Sequence, residues 1–240
     1  MSYDYSEDQL IQKSTADFME KELGWTSIYA FDKEVLGPNG TLGRNSYHEV
    51  LLLRHFRKAL KTLNPWLTDK QMQEAVERMT EYMSSQTLMQ INEQKYQYIK
   101  DGVPVTRVKP SGETEEVKAK VIDFASPNKN EFLCVRELWV HGALHRRRAD
   151  IVGFVNGLPL LFMELKNHDV EVRNAFDDNY RDYLDTIPQL FRFNAFIMFS
   201  NGLEARVGTI DSKWEFFHEW KRLNEMESGN IELPTMLKGI

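Results

Sequence analysis

The chain has 240 residues, of which 42% are hydrophobic and 28% charged, an ordinary composition for a globular protein of one large or two small domains. The net charge of −6 argues against non-specific nucleic-acid binding by the whole surface, which needs clustered lysine and arginine. The single cysteine, Cys134, excludes an internal disulfide. No apolar run reaches membrane-spanning length, and the acidic N-terminus does not resemble a signal peptide, so we expect a cytoplasmic protein with no membrane partner.

Three helices are predicted in the N-terminal part of the chain from apolar residues at helical spacing. Ser6 is in position to cap the first helix, and Asn64-Pro65 ends the second, because the residue before a proline disfavours helical geometry. The third helix carries a methionine stripe from Met72 to Met83, which is more typical of a core than of a docking surface. The predicted helices cover residues 6–23, 46–63 and 68–89, with a glycine-rich loop at 37–43.

Strands dominate the second half of the prediction. The apolar runs 151–155 and 160–163 flank Asn156-Gly157, which is a hairpin signal, and Cys134 lies in a strand-like run where a core position is expected. The order of elements predicts an α/β fold without internal repeats. The predicted elements are a polar hairpin region at 101–114, strands near 118–123 and 132–141, a crossover helix at 171–184, strands at 195–200 and 204–210, and a helix at 214–223.

Two acids and a lysine stand at the ends of the apolar hairpin. Asp150 precedes the first run, while Glu164 and Lys166 follow the second and, being two apart, share a face. Ionic groups entering a core need a partner or a metal, and two carboxylates suit Mg²⁺, which keeps several waters. Lys166 can then orient or deprotonate an attacking water, or stabilise developing negative charge. A hairpin with ordinary charged ends has the same pattern, so these three residues alone leave both interpretations open.

The register of the hairpin decides whether the two carboxylates can meet. A two-residue turn at Asn156-Gly157 would place Asp150 opposite Met163, on the face away from Glu164. A three-residue loop with Gly157 at positive φ places Asp150 opposite Phe162, so that the carboxylates become diagonal neighbours. We therefore predict an odd-numbered loop; a separate bulge would have the same effect.

The longer sequence around these residues resembles a known family. Residues 146–167, RRRADIVGFVNGLPLLFMELKN, resemble the nuclease segment of the type I restriction enzyme R (restriction, or motor) subunit, with its PD-(D/E)xK signature at Ala149-Asp150 and Glu164-Leu165-Lys166. The segments LGRNSYHEVLLLRHFRKALKTLNPWL and DTIPQLFRFNAFIMFSNGLEARVGTI resemble other regions of that subunit, in the same order. Ala149 replaces the usual proline at a position that sets backbone shape, not chemistry.

The resemblance implies a fold. It is a single endonuclease domain over residues 1–240, with a restriction-endonuclease-like core, a mixed sheet flanked by helices, at about 115–223. An N-terminal helical insertion occupies about 44–100. The subunits of this family are long and carry an ATP-driven DNA translocase after the nuclease, and no G-x-x-x-x-G-K-[ST] phosphate loop occurs here. The chain is thus expected to be an N-terminal fragment of such a subunit.

The resemblance also implies the site residues. Asp150 and Glu164 would bind the metal, with the backbone carbonyl of Leu165 as a third ligand, and Lys166 would complete the catalytic set. Glu7 is a possible accessory acid, because this fold often places one on its first helix, although a first-turn acid is equally explained by the helix dipole.

Two further accessory positions come from a Q-x-x-x-Y motif of the family. The matching spacing falls on Asn179 and Tyr183, so that asparagine replaces glutamine and the side chain is shorter. The basic run Arg146, Arg147 and Arg148 leads into Asp150 and is expected to hold DNA phosphates, although such a run is usually a solvated face.

The sequence is compatible with three functions. The first is a Mg²⁺-dependent endonuclease, a type I site-specific deoxyribonuclease that cuts double-stranded DNA non-specifically while its parent complex translocates DNA with ATP. In that complex, modification and specificity subunits would be the partners. The second is an assembly module with a silent site, which the intact Asp150, Glu164 and Lys166 disfavour. The third, a metal-independent hydrolase, is weakly supported, because no G-x-S-x-G elbow or Cys-His pairing stands out.

Overall fold

The computed structural model describes residues 7–219, which form a seven-stranded mixed sheet and a separate two-stranded hairpin. The strands are β1 (Thr26–Tyr29), β2 (Val103–Val108), β3 (Thr114–Ala119), β4 (Phe132–His141), β5 (Arg146–Val155), β6 (Leu158–Leu165), β7 (Phe196–Ser200), β8 (Ala205–Gly208) and β9 (His218–Glu219). In the large sheet the order is β1-β4-β5-β6-β7-β8-β9. Only β1 with β4 and β6 with β7 are parallel.

The helices are α1 (Glu7–Lys21), α2 (Leu53–Leu63), α3 (Asp69–Thr80) and α4 (Leu88–Asp101), followed by the crossover helix. The crossover helix joins the parallel strands β6 and β7 in three contiguous pieces. These are α5 (Val172–Asn174), a π-helical stretch (Ala175–Tyr180) and α6 (Arg181–Thr186). No helix within residues 7–219 is both long and apolar enough to cross a lipid bilayer.

Side chains of β5 and β6 enter two separate hydrophobic clusters. Ile151 and Met163 pack with buried residues of α1, whereas Val152 and Phe162 join the larger cluster that includes aromatic rings of the crossover helix. The sheet is therefore packed by helices through two cores. This mixed sheet flanked by helices confirms the predicted α/β architecture, with α2, α3, α4 and the β2–β3 hairpin between β1 and β4 in the chain.

The hairpin between β5 and β6 differs from the predicted three-residue loop. Asn156 and Gly157 form a two-residue turn with φ of 52° and 81°, and Val155 pairs with Leu158. The predicted positive φ of Gly157 is confirmed, but the loop length is wrong. The register shifts instead between Gly153 and Phe154, where β6 contains one extra residue. This β-bulge shifts the register by one residue, in the direction opposite to the shift that the predicted loop would have made, and it also brings Asp150 and Glu164 to the same face.

The Asn-Gly turn is buried, and this explains why helix α2 begins late. Asn156 is 1% exposed, and its amide donates to Val121 O at 2.8 Å. Gly157 O accepts a hydrogen bond from Leu52 N at 2.9 Å. Residues 50–52 are buried in a loop that packs against this turn. The helix predicted at 46–63 therefore starts only at Leu53, because the preceding residues make tertiary contacts instead of helical ones.

The helix predicted at 68–89 is too long, and a further helix, α4, follows that the sequence analysis did not predict. A capping box at Thr68 starts α3, as its sequence suggests, but α3 ends at Thr80 and α4 begins at Leu88. The ammonium of Lys95, which is buried, donates to the carbonyls of Arg78 and Glu81 at 2.6 Å, so the end of α3 is capped from α4. Met83 lies in the break and is 62% exposed, so the methionine stripe is not a continuous core face.

Other elements also have boundaries that differ from the predicted ones. The strand expected near 118–123 is β3, which ends at Ala119 because it pairs with β2 rather than with the large sheet. The helix predicted at 214–223 is wrong over its described part. Residues Trp214–Phe216 form one 3-10 turn, and β9 follows, because Phe217 is drawn into an aromatic cluster with Tyr180 and Phe199. Ser6, the predicted cap of α1, and residues 220–223 lie outside the described residues.

Gly157→Ala should strongly destabilise the fold. A Cβ atom there would lie 2.6 Å from Leu52 O and 2.9 Å from Phe56 N, in addition to the cost of a left-handed conformation. Gly112, with φ of +86° and no atom within 4 Å of such a Cβ, is a matched control. We expect about 1–2 kcal/mol for Gly112→Ala and at least about 3 kcal/mol for Gly157→Ala in urea unfolding. Equal losses would contradict the buried-turn geometry.

Lys95 should make the free energy of unfolding depend on pH in the alkaline range. Burial lowers its pKa to about 8, whereas in the unfolded chain it is about 10.4. Between these values the unfolded state binds more protons, so rising pH stabilises the folded state. The free energy of unfolding of wild type minus that of Lys95→Met should rise by about 1–3 kcal/mol between pH 8 and 10. Lys61→Met, at an exposed position of α2, should show no such trend; parallel pH profiles for both variants would refute the assignment.

Candidate active site

The predicted acids, Asp150 and Glu164, lie side by side at the end of the β5–β6 ladder. The ladder between these strands runs to the pair Ile151 and Met163, and the next pair in register is Asp150 with Glu164. There the Asp150 carboxylate takes the place of a backbone partner, because Oδ2 accepts a hydrogen bond from Leu165 N at 2.8 Å. The bulge in β6 thus places the carboxylates directly opposite each other, rather than diagonally as the sequence suggested.

Helix α1 reaches this site through a residue that the sequence did not single out. Gln12 is buried, and its Nε2 donates to Asp150 Oδ1 at 2.9 Å. The predicted accessory residue was Glu7, which starts α1 and whose side chain lies outside the described residues. Gln12 is a neutral donor, and its only signal in the sequence is its position directly after two apolar residues, Leu10 and Ile11.

Both carboxylates are held in an environment that disfavours negative charge. Glu164 is 2% exposed, and its Oε2 is buried without a hydrogen-bond partner among residues 7–219. Burial, and then the negative charge of Asp150, raise the pKa of Glu164 well above its usual range. Asp150 keeps some contact with solvent, but its surroundings desolvate the carboxylate and raise its pKa as well. An unpartnered carboxylate oxygen beside a second acid fits a bound divalent cation.

A cation here would need ligands besides carboxylates. Within the described part of the chain, no group of three or more His, Cys, Asp or Glu side chains is arranged to hold a metal. Asp150 and Glu164 would each supply a carboxylate oxygen, and the backbone carbonyl of Leu165 stays the predicted third ligand. Such a sparse set suits Mg²⁺, which is usually bound by one or two carboxylates and several waters.

Lys166, which follows β6, contacts the crossover helix. Lys166 N continues the sheet by donating to Ser200 O, and its ammonium donates to Asn179 Oδ1 at 2.5 Å. The shorter asparagine therefore does reach Lys166, the lysine predicted to be catalytic. Asn179 lies in the π-helical stretch, a widened helical turn that is frequent at functional sites.

Tyr183 ties the crossover helix to β5. Its hydroxyl donates to the backbone oxygen of Arg148 at 2.9 Å, two residues before Asp150. Burial, followed by the charges of Glu164 and Asp150, raises the pKa of Tyr183. The ring stays neutral and packs edge-on against Phe162 at 5.9 Å. Tyr183 therefore positions the strand that carries Asp150.

A third acid, Glu137, lies at this site, and the sequence did not predict it. The register of β4 with β5 places it opposite Asp150, it is buried, and its φ is 57°. A non-glycine residue in this region is strained, and such strain often occurs at functional sites. Arg148 Nε lies 2.5 Å from Glu137 Oε2 and balances its charge. No local pattern in β4 distinguishes Glu137 from an exposed strand residue.

The predicted DNA-binding arginines have different surroundings. Arg147 is engaged by Asp182 of the crossover helix, with Nη2 donating to Oδ1 at 2.8 Å. Arg146 is exposed, and its guanidinium lies 5.1 Å from the centre of the Trp139 ring. Arg148 lies between Glu137 and the rings of Phe31 and Trp139. The alternation of side chains along β5 thus separates Arg147 from the other two.

The lone thiol takes no part in this site. Cys134 is fully buried in the hydrophobic cluster that Ile151 and Met163 form with α1, and burial raises the pKa of its thiol to about 12. A thiol protonated at neutral pH is not a nucleophile. The prediction of a core position for Cys134 is confirmed.

Comparison with known proteins shows which family the chain resembles. A family described as type I restriction enzyme R protein N terminus matches residues 4–216. The type I restriction enzyme HindI endonuclease subunit of Haemophilus influenzae is 29% identical over 229 residues, covering 92% of this chain and 21% of that protein. A putative type I restriction enzyme MjaIXP endonuclease subunit of Methanocaldococcus jannaschii is 32% identical over 183 residues, covering 74% and 17%. The chain spans about a fifth of the length of the relatives it matches.

Proposed function

The chain belongs to the family of type I restriction enzyme R protein N termini, and from that membership we propose that it is the DNA-cleaving domain of a restriction subunit. The observation that carries the proposal is the pair Asp150 and Glu164, two desolvated carboxylates side by side with one buried oxygen unpartnered. A structural ion pair would have satisfied that oxygen. A divalent cation held by both acids does so and also explains their burial.

The proposed reaction is hydrolysis of a DNA phosphodiester. Bound Mg²⁺ would activate water and neutralise charge on the scissile phosphate. Asp150 and Glu164 would hold the ion, with Asp150 fixed by Gln12 and by Leu165 N. The attacking water adds to phosphorus, the bond to the leaving oxygen breaks, and that oxygen takes up a proton.

Lys166 acts on the water or on the phosphate in this proposal. Asn179 accepts one N–H of its ammonium, which leaves two more donors and fixes the direction of the side chain. An ammonium held in this way can orient the attacking water or stabilise charge on the phosphoryl oxygens. Arg148, beside the two acids, can add a second positive charge for the DNA backbone.

The larger context is also part of the proposal. We take about 44–100 as a helical insertion, about 115–223 as the restriction-endonuclease-like core, and the whole as the N-terminal part of a longer subunit. The relatives are named as endonuclease subunits and are roughly five times as long as the matched region. Double-stranded DNA would be the substrate, cut without sequence preference during ATP-driven translocation. Modification and specificity subunits would be the partners.

Glu164→Gln should weaken binding of Mg²⁺ or Mn²⁺. The substitution keeps the shape of a buried side chain and removes the charge that a hard cation needs. Isothermal titration of the 240-residue chain should show binding at least about tenfold weaker than in wild type. Glu204→Gln, in the turn before β8, is the control and should bind as wild type does. Equal affinity in all three proteins would remove Glu164 from the ligand set.

Lys166→Met should abolish DNA cleavage by the assembled restriction complex while ATP hydrolysis and translocation continue. Loss of one charge-stabilising group typically costs about 100-fold or more in rate. Lys61→Met, at an exposed position of α2, is the charge-matched control, and circular dichroism should confirm folding of both.

Cleavage of circular DNA near the wild-type rate by Lys166→Met would exclude Lys166 from the mechanism. Loss of translocation together with cleavage would instead indicate that the domain serves assembly of the complex.

A further inference from the structure

A row of three aromatic rings lies beside the candidate active site: Tyr29 at the end of the edge strand β1, Phe31 in the turn that follows it, and Trp139 on β4. The ring centres of Tyr29 and Phe31 are 6.2 Å apart, and those of Phe31 and Trp139 are 6.5 Å apart, with the last two stacked. Trp139 Nε1 donates to Phe31 O at 3.0 Å, which fixes the row across the two strands. Phe31 remains 38% exposed, so the row is at the surface.

Each ring is covered by an arginine. The guanidinium carbons of Arg136, Arg148 and Arg146 lie 5.0 Å, 4.7 Å and 5.1 Å from the centres of Tyr29, Phe31 and Trp139, respectively. We call these six residues the aromatic–arginine patch. Stacking holds a guanidinium by its face and leaves its N–H edge free to donate, which is the geometry that phosphate oxygens require.

The positive charge of the patch is only partly balanced. Within residues 7–219, Arg148 has an ion-pair partner in Glu137, whereas neither Arg136 nor Arg146 forms an ion pair. Arg136 is partly exposed and Arg146 is exposed. The patch therefore presents two guanidinium groups that have no ion-pair partner among those residues, in a chain whose net charge is −6.

The patch is continuous with the candidate active site through Glu137 and Arg148. Glu137 stands opposite Asp150 in the sheet and holds Arg148, which is also stacked on Phe31. A strand of DNA whose scissile phosphate lay at Asp150 and Glu164 would thus meet arginines in succession along β5 and β4. Arg147, turned toward Asp182 on the crossover helix, is not part of this line.

We propose that the aromatic–arginine patch binds the phosphate backbone of the DNA strand that is to be cut, and this rests on the proposed nuclease function. The rings brace the arginines and do not read bases, since guanidinium groups already cover them. Binding is therefore independent of sequence and acts on duplex and single-stranded DNA alike. An acidic protein segment would offer similar charge, but the line of arginines ends at the catalytic acids, where only the substrate has to lie.

The test is the salt dependence of DNA binding by the 240-residue chain. Fluorescence anisotropy with a labelled duplex, and with one of its strands, would be measured in EDTA so that no cleavage occurs. Arg136→Ala and Arg146→Ala should each weaken binding several-fold and lower the slope of log affinity against log salt by about 0.9. Arg147→Ala, one residue along the same strand, and the distant Arg57→Ala should leave both the affinity and the slope unchanged.

Two further variants test the bracing role of the rings. Trp139→Ala should weaken binding as removal of an arginine does, although it removes no charge, and Trp139→Phe should restore most of it. Each variant should keep the circular dichroism spectrum of the wild type. A labelled polyglutamate chain serves as the acidic-protein probe and should bind far more weakly than DNA.

The outcomes separate this inference from the proposed nuclease function. One outcome is that the wild type binds DNA, and its complex cuts DNA, while the Arg136 and Arg146 variants bind DNA as tightly as the wild type. In that case the aromatic–arginine patch does not bind the DNA backbone, and only this inference fails. If polyglutamate binds as tightly as DNA, and its binding is lost in the Arg136 and Arg146 variants, the patch is a protein-docking surface. If the wild type binds neither DNA nor Mg²⁺, both proposals fall together.

Discussion

The β-bulge opposite Gly153 decides on which side of the sheet the acids of this protein lie. Because strand side chains alternate, one extra residue in β6 moves Glu164 from the far face to the position opposite Asp150. The bulge is kept in place by close packing, since a Cβ on Gly153 would lie 3.0 Å from Leu161 and from Trp25. The tight two-residue turn and the bulge together fix a register that neither would set alone. The candidate active site follows from that register.

Two adjacent buried carboxylates are a large electrostatic cost, and much of the surrounding structure reduces it. Leu165 N–H and the Gln12 amide donate to Asp150, while the charges of Lys166 and Arg148 oppose the rise in pKa of both acids. Glu137 adds a third negative charge that raises the pKa of both acids further, and the charge of Arg148 opposes this rise. The arrangement leaves one oxygen of Glu164 unsatisfied, which is unfavourable for stability alone but favourable for a cation.

The sequence predicts those parts of this structure that depend on local chemistry. Short apolar runs locate β4 to β8, and the Asn-Gly pair locates the hairpin, because these signals act over a few residues. The resemblance of the hairpin and its flanks identifies the family. The bulge, by contrast, is set by packing against Trp25, far away in the chain, and nothing near Leu160 in the sequence indicates it.

The same distinction explains the missed site residues and helix boundaries. Gln12 contacts Asp150 across 138 positions, so its role appears only when α1 is placed against the sheet. Lys95 ends α3 from another helix, and apolar spacing alone could not predict this. Glu137 is an ordinary strand residue until its backbone conformation and its partner Arg148 are seen.

In the proposed nuclease, the acidic net charge of −6 and the arginines Arg136, Arg146 and Arg148 would act together. The net negative charge would discourage DNA binding in unproductive orientations, while the local row of cations would accept the DNA backbone beside Asp150 and Glu164. Acids that bind a cation repel phosphate when the cation is absent, so arginines fixed nearby are needed to bring the two together. Bracing by Phe31 and Trp139 serves this role better than free side chains would, because the arginines have already lost the rotational freedom that DNA binding would otherwise remove.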